Sequence, residues 1–177
     1  LQSTIKLHRY DKILVSRPIV PMGKDIGYLP GGKEEKLFHW MEPIFDNLNY
    51  LMRGSKSKKN EGVSTHKKVD NLFSNDIIEL EALTYIRGRS IPQQYMIVDE
   101  AQNLTPHEVK TIISRAGEGT KVVLTGDPYQ IDNPYLDSSS NGLTYTAERL
   151  KDEAIQGHIT LTKSERSTVA AVAANRL

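Results

Sequence analysis

The sequence predicts an α/β fold: a mostly parallel sheet flanked by helices. Two observations carry this expectation. Five short apolar runs, each bounded by turn residues or charges, read as strands, and several are continuous rather than alternating, as in strands covered on both faces. Between them lie segments whose apolar residues recur at three- and four-residue spacing, the mark of helices with one buried face. Strands that alternate with helices build a parallel sheet.

The elements follow in order. Ile13–Val15 is the first strand. Leu37, Trp40, Met41, Ile44, Leu48 and Leu51 form a helical stripe, with Pro43 as a kink or a restart. Arg53–Gly62 is polar, basic and rich in glycine and serine, so residues 54–64 are expected to form a mobile basic insertion. Ile77–Leu80 and Met96–Val98 are the next strands. After Leu104 comes the best-written helix: Thr105 as N-cap, Pro106 at the first position, Glu108 completing a capping box. Val109, Ile112, Ile113 and Ala116 make its stripe, and Gly117 stops it. Val122–Leu124 is a strand, Asp132–Asn141 a loop of turn formers, and about Leu143 to Leu150 a helix. Ile159–Leu161 reads as a fifth strand. A last helix starts after Ser167, with Val169, Val172 and Ala173 on one face.

Composition narrows the function classes. The 177 residues fit one domain, and 38% apolar with 25% charged residues suffice for a buried core. Lysine and arginine number 23 against 22 acids, a net charge of +1. That excludes a polybasic tail or an acidic solvating domain and leaves room for a local basic face. With no cysteine, disulfide scaffolds, thiolate metal sites and cysteine nucleophiles are excluded. The five histidines are scattered without metal-ligand spacing. No apolar run reaches the ~18 residues of a bilayer span, and the polar start LQSTIKLHRYDK is unlike a signal peptide. A soluble, cytoplasmic domain without a membrane partner is expected.

Ligands of open α/β sheets bind outside the carboxyl ends of the strands, and there the sequence concentrates polar residues. MIVDEAQ sets Asp99 and Glu100 directly after an apolar strand. An acid there can hold Mg²⁺, directly or through its waters, and the next carboxylate can orient and deprotonate a water. The same letters also describe two solvated acids on the way to a helix. The following strand ends VVLTGDPYQ. Gly126 allows close backbone approach, Asp127 and Gln130 fall at the same sheet edge as Asp99, and Thr125 or Gln130 could sense a γ-phosphate. A type I turn on Asp-Pro is the plain structural alternative. Side chains that alternate along a strand place residues 99 and 100 pointing apart.

MIVDEAQ followed by LTGDPYQ resembles the Walker B and GDxxQ motifs of superfamily 1 helicase-like P-loop ATPases, which have a RecA-like core. More narrowly, SRPIVPMGKDIGYLPG, IRGRSIP, VDEAQNLTPHEVKTIISRAGEGTKVVLTGDPYQID and the final LTKSERS resemble the PhoH family. The resemblance covers nearly the whole chain and is closest to the longer branch, in which a PIN ribonuclease-type domain precedes the ATPase. It implies an ATPase that uses ATP and Mg²⁺ and is linked to RNA unwinding or cleavage. Asp99 is then the Mg²⁺-associated Walker B acid and Glu100 the hydrolytic base. Gln130 couples phosphate to nucleic acid, Asp127 holds its loop, and Thr125 and Gly126 lie beside the nucleotide. Arg166 in SERS resembles the arginine of the helicase NYRS-type motif, whose guanidinium neutralises charge on the γ-phosphate; otherwise it merely precedes a helix capped by Ser167. Ser16 and Arg17, with Arg87 and Arg89 in IRGRS, match positions that could contact an RNA backbone; surface or ion-paired arginines are the alternative. In a homo-oligomer Arg166 would act on its own or on a neighbouring subunit.

The family's glycine-rich GxxxxGKS/T loop, whose amides and lysine cradle phosphates, has no counterpart in this chain. Gly23-Lys24 and Gly31-Gly32-Lys33 lack the spacing. In the family that loop lies upstream of the strand matching Ile13–Val15. Residues 1–177 therefore read as an N-terminally truncated ATPase domain, expected to hydrolyse ATP negligibly by itself. Two rivals stay open: a non-catalytic RNA-binding or assembly module, and a Mg²⁺-dependent nuclease built on Asp99, Glu100 and Asp127.

Overall fold

The computed structural model describes residues 1–19, 41–52, 62–86, 88–162, 167, 169 and 172. Within them lies one parallel sheet of β1 (Lys12–Arg17), β2 (Ile78–Ala82), β3 (Gln94–Val98) and β4 (Lys121–Leu124), in the order β2-β1-β3-β4. Ile13 stands opposite Ile78 on one side and Tyr95 on the other, and Val98 lies between Ser16 and Leu124. The helices are α1 (Glu42–Met52), α2 (Gly62–Ser74), α3 (Pro106–Ile113) and α4 (Gly142–Leu150). The expected α/β fold with a parallel, helix-flanked sheet is what the chain adopts.

β1 is central and covered on both faces, which is why its apolar run is continuous. Leu14 packs with Met96, Val98, Val109 and Ile112, the α3 side of the sheet. Its neighbours Ile13 and Val15 pack with Leu48, Val69, Leu72 and Ile78, the α1–α2 side. Pro43 lies in the first turn of α1, so it is a restart and not a kink; there its missing N–H leaves no helical bond unmade. Leu37 and Trp40 lie outside the described residues. The sequence reading overlooked α2, because its polar residues mask the buried Val69 and Leu72. Residues 62–64 of the expected insertion are its first turn, and the rest of that insertion lies outside the described residues.

α3 starts as expected. The Thr105 hydroxyl accepts from the Glu108 amide, and the Glu108 carboxylate accepts from the Thr105 amide. Its end differs. The helix closes at Ile113, and Ala116, expected on its apolar stripe, makes a parallel bridge to Ile91 instead. Gly117 is needed for close approach as well: a Cβ there would stand 2.9 Å from Pro92 Cα.

The chain divides into Leu1–Thr146, which contains the sheet, and Ala147–Leu177. In the second unit the expected strand Ile159–Leu161 does not form, and Ile159 and Leu161 are 84% and 86% exposed. A run of three residues, two of them apolar, does not carry its own pairing, and periodicity cannot separate it from an irregular segment. Of the expected last helix, Val169 and Val172 are helical, while Ala173 and most of its length lie outside the described residues. No helix among the described residues is long and apolar enough to cross a membrane.

The loop from β4 to α4 is built by its own side chains. Asp137 accepts from the amides of Ser139 and Ser140 and from the Ser139 hydroxyl. The wholly buried Asn141 caps α4 through a 3.0 Å bond from the Thr144 amide. The serine hydrogen bonds hold the Asp137 carboxyl down at about 2, against an ordinary 3.8. Because the folded value is the lower one, the loop's contribution is complete above about pH 4 and fades as pH falls towards about 2. A carboxyl-carbon NMR titration is expected to give Asp137 a midpoint near 2, raised by Ser139→Ala. In urea unfolding, Thr105→Ala is expected to lower stability by about 1 kcal/mol. Leu14→Ala, which opens a cavity between β1 and α3, is expected to lower it by about 2–5 kcal/mol.

Candidate functional site

In this strand order the chain leaves β1 outward to β2, then returns past β1 to β3. The switch point therefore lies between the carboxyl ends of β1 and β3. Ser16 and Arg17 end one strand; Asp99 and Glu100 follow the other. The Asp99 amide donates to the Ser16 carbonyl at 2.9 Å. Ser16 is wholly buried, and its hydroxyl donates to the Glu81 carbonyl of β2. It ties the strand ends together.

Glu100 has φ 54°, in the left-handed region, which costs a residue with a Cβ about 1–3 kcal/mol. This turn overturns the expectation that Asp99 and Glu100 point apart. Arg17 Nη2 donates to Glu100 Oε1 at 3.0 Å, and Arg17 Nε stands 4.0 Å from Asp99 Oδ2. Both carboxylates reach one guanidinium, because the chain no longer alternates where the strand has ended.

β4 completes the cluster. Thr125 Oγ1 donates to Asp99 Oδ1 at 2.8 Å, and the Thr125 carbonyl accepts from the Ala101 amide at 2.9 Å. Gln102, which the sequence reading missed, is wholly buried between the two strand ends. Its Nε2 donates to Glu100 Oε2 at 2.6 Å and to the Gln130 carbonyl at 2.9 Å. Its Oε1 has no hydrogen-bond partner among the described residues and abuts Gly126, where a Cβ would lie 2.1 Å away. Gly126 is thus a glycine because Gln102 fills the space a side chain would take. Asp127 closes the same loop on itself: Oδ1 accepts from the Tyr129 amide at 3.0 Å, and Oδ2 from Gln130 Nε2 at 2.7 Å. Asn103, also missed and buried, accepts from the Asp132 and Asn133 amides at 2.7 and 3.2 Å. The available signal was a polar pair set between Ala101 and Leu104, where a core-facing segment would otherwise be apolar.

Not every expected residue joins this cluster. Arg89 pairs with Glu81 and stands 3.9 Å from Glu79, both on β2. Arg87 and Arg166 lie outside the described residues. Among the described residues no three acids or histidines stand together as a metal cluster. Mg²⁺ held by one protein carboxylate, with phosphate oxygens and waters completing its shell, needs no such cluster. Asp99 and the Thr125 hydroxyl, hard oxygen groups on a half-exposed strand end, fit that arrangement. Gly126→Ala is expected to push Gln102 off both acceptors and lower stability by about 1–3 kcal/mol. Urea unfolding measures the loss, and faster amide exchange around Gln130 locates it.

Comparison with known proteins agrees with this architecture. The family model described as PhoH-like protein matches residues 3–174. The chain is 56% identical, over all of its 177 residues, to Protein PhoH2 of Bacillus subtilis strain 168, and covers 38% of that protein. It is 36% identical over 178 residues to Protein PhoH2 of Mycolicibacterium smegmatis, again 38% of the relative. A PhoH-like protein of Bacillus subtilis is 36% identical over 140 residues, 79% of this chain and 40% of the relative. The chain thus spans about two fifths of the length of these relatives. With a match through nearly every residue and a parallel sheet to carry it, the chain belongs to the PhoH family of P-loop NTPases.

Proposed function

We propose that the parent protein hydrolyses ATP at the β1–β3 switch point and couples hydrolysis to RNA unwinding or processing. This chain would supply the Walker B acid, the base and the coupling loop. One observation carries the reading: Asp99 bonded to Thr125, and Glu100 bonded through Gln102 to the Gln130 carbonyl, meet across two strand ends that the Ala101 amide ties to the Thr125 carbonyl. Asp99, oriented by Thr125, would hold Mg²⁺, which supplies charge neutralisation at the phosphate oxygens. Glu100 would orient a water and take its proton. A displacement of the Gln130 loop would reach Glu100 through Gln102, since one amide nitrogen bonds both. Arg166 would offset γ-phosphate charge, in its own subunit or a neighbour of a homo-oligomer. Arg87, Arg89 and Arg17, at a strand end fixed by Ser16, would meet the RNA backbone. The phosphate-cradling loop and a PIN ribonuclease-type domain would come from elsewhere in the parent, acting in the cytoplasm. A nuclease built on Asp99, Glu100 and Asp127 has less support, since both Asp127 oxygens accept bonds within their own loop.

The test is Mg·ATP binding and turnover by the parent protein at the length of its relatives. Glu100→Gln is expected to keep binding and to lower kcat by about 10²–10⁴-fold. Unchanged turnover in that variant would remove Glu100 from the chemistry. The 177-residue chain alone is expected to bind weakly; turnover at the parent's rate would place the phosphate site elsewhere.

A further inference from the structure

Both carboxylate oxygens of Glu100 are engaged, Oε1 by Arg17 and Oε2 by Gln102. The two bonds are not equivalent. Gln102 is wholly buried, and the same Nε2 is tied to the Gln130 carbonyl; breaking its bond to Glu100 would leave a buried donor poorly satisfied. The Arg17 side chain is 20% exposed and Glu100 34%, at the open end of the sheet. A guanidinium offers a phosphate the same fork of donors it offers a carboxylate. Exchange there costs less than exchange at Gln102.

We infer that Arg17 is a positioning residue: it holds Glu100 Oε1 until a phosphate group takes the guanidinium in its place, while Gln102 keeps the freed carboxylate aimed. The inference rests on the reading of Glu100 as the base. The left-handed turn at Glu100 is what brings its carboxylate to Arg17, with Asp99 4.0 Å from the same side chain. The strain of that turn is thus spent on a contact between the end of β1 and the end of β3. A phosphate reaching this edge belongs either to an RNA backbone or to a nucleotide. In both cases the exchange is guanidinium–carboxylate for guanidinium–phosphate, and Glu100 Oε1 becomes available to a water.

The test needs no turnover. Binding of single-stranded RNA and, separately, of Mg·ATP is measured for the parent protein, for Glu100→Gln and for the double variant Arg17→Gln/Glu100→Gln. Neutralising Glu100 removes one charged competitor for the Arg17 guanidinium while Asp99 stays beside it, so Glu100→Gln is expected to bind one of the two ligands about three- to fivefold tighter. The double variant is expected to lose that gain, and added salt to shrink it. A gain for RNA identifies the backbone as the displacing phosphate; a gain for Mg·ATP identifies the nucleotide. No gain for either ligand overturns the inference. A gain that survives in the double variant also overturns it, since simple removal of negative charge would then explain it. Should the double variant fail to fold, Arg17→Lys on the Glu100→Gln background replaces it. That change keeps the charge but not the fork, and part of the gain is expected to go; full retention overturns the inference. A parent that turns over no ATP defeats the proposed function, while these binding measurements still decide the role of Arg17.

Discussion

One buried primary amide, that of Gln102, links the parts of this site that differ most in chemistry. Its nitrogen donates both to a carboxylate at the end of β3 and to a backbone carbonyl in the loop after β4. A wholly buried amide cannot look to water for alternatives, so the two acceptors have to stay where they are. A hydrogen bond to a charged group contributes about 1.5–3 kcal/mol. The missing side chain at Gly126 makes room for that amide, so the loop that carries Asp127 and Gln130 can lie directly against it.

The sheet order makes the position available. With β1 covered on both faces and β3 beside it, the carboxyl ends of the two strands meet at the switch point of the sheet. Regular strand geometry would send Asp99 and Glu100 to opposite faces. The left-handed turn at Glu100 keeps both near Arg17, and several bonds offset its strain: Asp99 amide to Ser16, Ala101 amide to Thr125, Asn103 amide to the Glu100 carbonyl. Strain of this kind persists only where the surroundings over-determine it, and functional sites are where it gathers.

The segment between β4 and α4 has little regular structure, yet it is not held loosely. Asp127, Asp137 and Asn141 each accept from amides within two or three residues, and Asn103 reaches in from the β3 side to hold Asp132 and Asn133. Short polar side chains thus do for this loop what a ladder does for a strand. A loop braced in this way can transmit a displacement from one end to the other, which a slack one would absorb.

The α/β class, the four strand positions and the capped start of α3 were all legible in the sequence. Local chemistry decides them: apolar runs need two-sided cover, and Thr105, Pro106 and Glu108 satisfy helix-end groups a few residues away. Asp99, Glu100, Asp127 and Gln130 could also be placed at one sheet edge, because strand ends converge in a parallel sheet. Other features depended on residues far apart in the chain. α2 was hidden because the cover that buries Val69 and Leu72 comes from β1 and β2. Ile159–Leu161 carries a strand's letters without forming one, since pairing is a property of two segments. Arg17, Gln102 and Gly126 gained the neighbours described above only when tertiary structure brought positions 17, 100, 102, 126 and 130 together. Sequence by itself determines what a residue can donate, accept or bury nearby; which distant group it meets is decided when the strands are ordered and their loops close over them.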